Sequence, residues 1–97
     1  MRAEFEVDEV ECVPNGILVR GAVNEGDLRL GEVFLWVTSN RSTRETERHT
    51  DKNIQLKIES IITYSQNVDE LYSGMTGEIS LSGVGVEKVT KKSWLLM

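Results

Sequence analysis

Between Ile54 and Glu59 the chain alternates strictly: Ile54, Leu56 and Ile58 are apolar, and Gln55, Lys57 and Glu59 are polar. A strand turns successive side chains to opposite faces, whereas a helix repeats near 3.6 residues, so this run fits a half-buried strand. The same period recurs in Ile17, Val19, Gly21 and Val23, in Val33, Leu35 and Val37, and in Gly77, Ile79 and Leu81. Turn residues separate these runs: Pro14-Asn15-Gly16, Asn24-Glu25-Gly26-Asp27, Gly31 and Gly83-Val84-Gly85. Composition agrees, because Val, Ile and Thr together number 24 against two alanines, a bias toward strands and away from helices.

Phe5 and Val7 alternate with acids, and then the phase flips so that Val10 and Cys12 continue the pattern. One inserted residue shifts a period of two, which predicts a β-bulge near Asp8–Glu9. The strand opening at Ile54 is expected to run on to Tyr64, Asn67–Gly74 to be a connection with one helical turn, and Val86–Val89 and Trp94–Met97 to be two last short strands. From Ser39 to Asn53 the pattern dissolves into Ser, Thr, Arg and Glu, which reads either as a polar hairpin or as a long loop. With 97 residues the chain is expected to form one domain over 1–97. Six or seven short strands imply a sandwich or a barrel. The expected core is Phe5, Val7, Val10, Ile17, Val19, Val23, Val33, Leu35, Val37, Ile54, Leu56, Ile58, Ile79 and Leu81.

The run Gly16-Ile17-Leu18-Val19-Arg20-Gly21-Ala22-Val23-Asn24-Glu25-Gly26-Asp27-Leu28-Arg29-Leu30-Gly31-Glu32 resembles the opening of the second domain of translational GTPases such as elongation factor Tu. Leu71-Tyr72-Ser73-Gly74-Met75-Thr76-Gly77-Glu78-Ile79-Ser80-Leu81-Ser82-Gly83-Val84 continues the likeness, which covers roughly residues 4–97 apart from 40–53. The resemblance implies an all-β fold, a closed antiparallel barrel of roughly six strands. Several positions depart from that family. Ala22 and Glu25 stand in a turn where basic residues are common, Ser82 stands where Arg is frequent, and Lys92-Ser93 replaces a usual Gly. The positions that would favour RNA or the ribosome are therefore neutral or acidic. The GTPase domain that accompanies the barrel in the family has no counterpart among these residues, so no nucleotide is expected.

The net charge of −5 argues against non-specific nucleic-acid binding, which depends on clustered cations. The charge is uneven: residues 1–13 carry a net −4, 41–52 a net +1 and 87–92 a net +2. Acids near the start leave no apolar run for an export signal, and no stretch approaches the roughly 20 apolar residues that cross a bilayer. Cys12, in phase with Val10, is expected to be buried and inert, and a lone cysteine suits a reducing cytosol. No phosphate loop or nucleophile elbow occurs, and a triad would have to be built around His49 in a polar stretch.

Two features invite a binding role. Phe34 and Trp36 face away from Val33, Leu35 and Val37, either beneath another segment or as an exposed patch of the kind that anchors partners. Arg41, Arg44, Arg48 and Lys52 cluster in the segment without periodicity, and loops on rigid scaffolds commonly carry recognition. The expectation is a non-catalytic module that docks a protein or RNA partner through Phe34, Trp36, Arg41, Arg44, Arg48 and Lys52. It is expected to be a cytosolic monomer with no metal or cofactor. The alternative is a small acidic inhibitor or immunity-type protein that masks a basic enzyme with the row Glu4–Glu11.

Overall fold

A computed structural model describes residues 3–38 and 52–97, with Lys52 placed by its backbone alone. Among the described residues nine strands follow in chain order: β1 (Glu4–Val13), β2 (Gly16–Glu25), β3 (Leu28–Arg29), β4 (Val33–Thr38), β5 (Lys52–Thr63), β6 (Gln66–Val68), β7 (Glu70–Leu71), β8 (Thr76–Val84) and β9 (Trp94–Leu96). Six of them neighbour one another in the order β4-β9-β1-β2-β8-β5, and pairing of β4 with β5 closes the ring. Every pairing is antiparallel. This is the closed six-stranded barrel expected from the resemblance.

Register shifts bend the long strands around the barrel. The one predicted near Asp8–Glu9 lies between Val7 and Glu9, where β1 pairs with β2. A second falls between Ile58 and Ser60 on β5, opposite β8. It brings Ile61 back to the interior after Ile58, so both are buried. An extra residue on one strand raises local twist and lets a sheet curl toward closure. Beyond the bend, β5 turns through Tyr64 and Ser65 into β6, with both residues in the left-handed region at φ 52° and 63°. A two-residue hairpin of that shape matches the twist of its strands. Asn67–Gly74, expected to hold a helical turn, instead supplies β6 and β7. Val86–Lys88 forms a 3₁₀ turn where a strand was expected.

The core fills the barrel with Phe5, Val7, Ile17, Val19, Val23, Val37, Ile54, Leu56, Ile58, Ile79 and Leu81, all buried as expected. Val10 is half-buried. Phe34, Leu28, Leu71, Val89 and Leu95 join them. Leu28 and Leu71 pair across the small β3–β7 ribbon and are fully enclosed. Leu56 is also fully enclosed, and Leu56→Ala is expected to lower stability by about 2–5 kcal/mol, read from the urea midpoint.

Three expected burials fail. Val33 and Leu35 are exposed at 36% and 39%, and Phe34 between them is fully buried. A register shift between Phe34 and Trp36 then returns Val37 to the interior. Cys12 keeps the phase read for it, paired with Ile17, yet it is exposed. The reason lies on the other flank of β1, which β9 covers only over Glu4–Glu6, leaving the far end of β1 as an open edge.

Candidate functional site

The sites expected from sequence separate once the chain is folded. Phe34 is fully enclosed in the core and offers no surface to a partner, which corrects its assignment as a contact residue. Trp36 is half-buried and lines a shallow hollow on the outer wall. Arg41, Arg44 and Arg48 lie outside the described residues, as does His49. Lys52 enters as the first backbone position of β5, paired with Val37. Trp36 and the cationic segment are therefore joined through the strands that bound it: β4 ends at Thr38 and β5 begins at Lys52.

The hollow measures about 370 Å³ and is walled by Leu35, Trp36, Asn53, Ile54, Gln55 and Val84. Three strands build it. On β4 the exposed residues are Val33 and Leu35, on β5 Asn53, Gln55 and Lys57 point outward, and on β8 Val84 sits beside Gln55. Val84 is 69% exposed, held between Gly83 and Gly85, both of which have positive φ. Leu35 and Val84 were missed because the first was assigned to the opposite face and the second was read only as part of a barrel turn. The available signal was the apolar residue flanked by two glycines, since a corner that needs positive φ pushes its intervening side chain outward.

Charge on the described surface is sorted. Arg20 meets three carboxylates, at 2.7 Å from Glu78 and 3.4 Å from each of Glu9 and Glu11. Glu78 is the main reason its guanidinium holds its proton more tightly than usual. Arg29 pairs with Glu70 at 2.9 Å, and the Tyr72 hydroxyl donates to the same carboxylate, which raises the phenol pKa above its ordinary value. Those three residues border a larger hollow of about 720 Å³ with Leu30, Val68 and Met75. Arg29 and Glu70 already satisfy each other there, and the exposed Asp69 also lines the hollow. Lys57 and Lys88 are exposed and enter no ion pair among the described residues.

The acidic row near the start is not a continuous face. Glu4 is buried at 8%, and past the bulge Glu9 and Glu11 engage Arg20. Among the described residues no three His, Cys, Asp or Glu side chains gather as metal ligands would, and no helix is long and apolar enough to cross a membrane.

Neither a protein-family model nor a curated protein matches the chain. Solved structures do. The apo form of translation elongation factor SelB from Methanococcus maripaludis superposes with a TM-score of 0.74 at 18% identity, over 99% of this chain and 19% of that one. The same factor in complex with the GTP analogue GppNHp gives 0.73 at 20% identity, over the same shares. A bacterial selenocysteine-specific elongation factor, EF-Sec, gives 0.67 at 18% identity, over 97% of this chain and 14% of that one. The chain has the fold of a translation-factor barrel domain. At these identities the likeness is one of fold, and the barrel spans less than a fifth of the SelB and EF-Sec chains it matches.

Proposed function

We propose that this translation-factor-like barrel is a non-catalytic docking module that holds a macromolecular partner, protein or RNA. The contact region is the wall formed by Leu35, Trp36 and Val84, together with Arg41, Arg44, Arg48 and Lys52 of the adjoining segment. The observation that supports it best is the hollow itself. Apolar side chains stand exposed on a closed sheet, rimmed by Asn53 and Gln55, at the point where the chain passes into the stretch that holds Arg41, Arg44 and Arg48. An apolar centre with a polar rim is the anatomy of a contact surface. Kinship of fold with elongation factors makes a partner in the translation apparatus the first to test. The inhibitor reading is less well supported, because Glu4 is buried and Glu9 and Glu11 already face Arg20.

Affinity capture tests the reading. A Leu35→Asp/Val84→Asp bait and an Arg41→Ser/Arg44→Ser/Arg48→Ser bait are compared with the parent chain at low and high salt. Both variants are expected to keep the parent thermal transition within a few degrees, since exposed substitutions usually change stability by about 0.5 kcal/mol or less. Both are expected to lose the captured partner, the triple variant chiefly at low salt, where charge is least screened. Capture by the Leu35→Asp/Val84→Asp bait equal to that of the parent overturns the docking role of this wall.

A further inference from the structure

Resting on that docking reading, we infer that the wall around Leu35 and Val84 is built for an extended protein segment of one chemistry: two acidic side chains flanking an apolar one, at alternate positions on one face. Two unpaired cations sit at opposite ends of the apolar hollow. At one end is Lys57, aligned with Val33 on β4 and with Ser82 on β8. At the other is Lys88, whose Nζ donates to the backbone oxygen of Asn53 at 3.2 Å. Between them on β5 lies Gln55, with Leu35 and Val84 on either side.

The surrounding charges sharpen the assignment. Arg20 and Arg29 already face carboxylates. Glu59, next along the outer face past Lys57, accepts a hydrogen bond from the Ser82 hydroxyl. Glu87 is the carboxylate beside Lys88 in sequence, and it forms no ion pair with it. An acidic protein thus keeps two uncompensated lysines beside its apolar hollow, a pattern complementary to a ligand that brings carboxylates and an apolar anchor.

The spacing sets the ligand's conformation. Asn53 and Lys57 are four residues apart on one strand, about 13 Å at the usual rise of roughly 3.3 Å per residue. An extended segment places side chains i and i+4 the same distance apart, on the same face as i+2. Acidic groups at i and i+4 then reach Lys57 and Lys88, while an apolar side chain at i+2 settles between Leu35 and Val84. A helical segment would separate i and i+4 by only about 6 Å and would need its acids at i and i+7 or i+8 to span the lysines, a different spacing from the one inferred. Single-stranded RNA offers phosphates but no aliphatic anchor for this hollow.

Fluorescence anisotropy with synthetic probes tests the inference. The first probe is a labelled nonapeptide with Asp-Thr-Leu-Thr-Asp at its centre. The second carries Lys in place of both Asp, and the third is a labelled ten-nucleotide oligouridylate. The acidic peptide is expected to bind saturably, more weakly as salt rises, and at least about tenfold more tightly than the lysine peptide. Lys57→Glu and Lys88→Glu are each expected to weaken it about two- to fivefold, the range for exposed ion pairs. Leu35→Asp is expected to weaken it about tenfold or more, as loss of a central anchor does. The inference is overturned if the acidic peptide does not bind, if the lysine peptide binds equally, or if the three substitutions leave binding unchanged. Binding of the oligouridylate at these residues in place of the peptide also overturns it, while leaving the docking role intact. That role fails separately, if the Leu35→Asp/Val84→Asp bait captures as the parent does.

Discussion

Gly21→Ala is expected to abolish cooperative folding or to remove more than about 4 kcal/mol of stability, a loss reserved for backbone and core catastrophes. A Cβ at Gly21 would lie 1.8 Å from the backbone oxygen of Glu6 and 3.1 Å from the Phe5 ring. No rotamer relieves this, because the clashing atom belongs to the neighbouring strand of the ladder. Gly21 pairs with Val7 at the register shift of β1, where the bend brings the two backbones close. The control is Gly31→Ala. Its Cβ meets nothing within 4 Å, and φ of +90° is its sole difficulty, so it is expected to lose about 1–3 kcal/mol. Urea unfolding of both variants reads the difference. A Gly21→Ala midpoint equal to that of Gly31→Ala would show that β1 relaxes away from β2 at the bulge.

Phe34→Ala is expected to lower stability by about 3–5 kcal/mol, as removal of a buried aromatic does. Phe34 is fully enclosed against the core, whereas its neighbour Leu35 is 39% exposed. Leu35→Ala is therefore expected to change the unfolding midpoint little, by about 0.5 kcal/mol or less. The pair tests which face of β4 is inside, because strict alternation of Val33, Leu35 and Val37 predicts the reverse order. A larger loss at Leu35 than at Phe34 would restore that phase and remove Leu35 from the docking wall. The stakes reach past stability: the residue first expected to meet a partner is the one the core cannot spare.

Legibility in the sequence followed the regularity of the strands. β2, β8 and the first half of β5 keep one phase along their length, so Ile17, Val19, Val23, Ile54, Leu56, Ile58, Ile79 and Leu81 were assigned inward and are buried. The β1 bulge was readable because apolar residues resume after an odd spacing among acids. The bulges on β4 and β5 were not, because apolar residues occupy both phases there. Val33 to Val37 is apolar throughout, and Ile61-Ile62 offers an isoleucine to either face. Alternation carries no information where both faces are apolar, and only the partner strand then decides which side chain enters.

The strand pattern left sandwich or barrel open, and the barrel came from the resemblance of the glycine-spaced motifs; by itself the sequence determined that this chain is built from strands and where most of them turn. Those properties are local: β-branched residues stiffen an extended backbone, and Pro, Asn and Gly bend it where their own torsions allow. Tertiary structure alone decided which face of β4 is covered, that Cys12 lies at an open edge, and that Glu9 and Glu11 converge on Arg20. It also decided that Leu35, Val84, Lys57 and Lys88 share one wall, though up to 53 residues separate them in the chain. Each depends on the register of strands distant in sequence, which is set by how the closed barrel packs and bends, and no single strand's pattern encodes it.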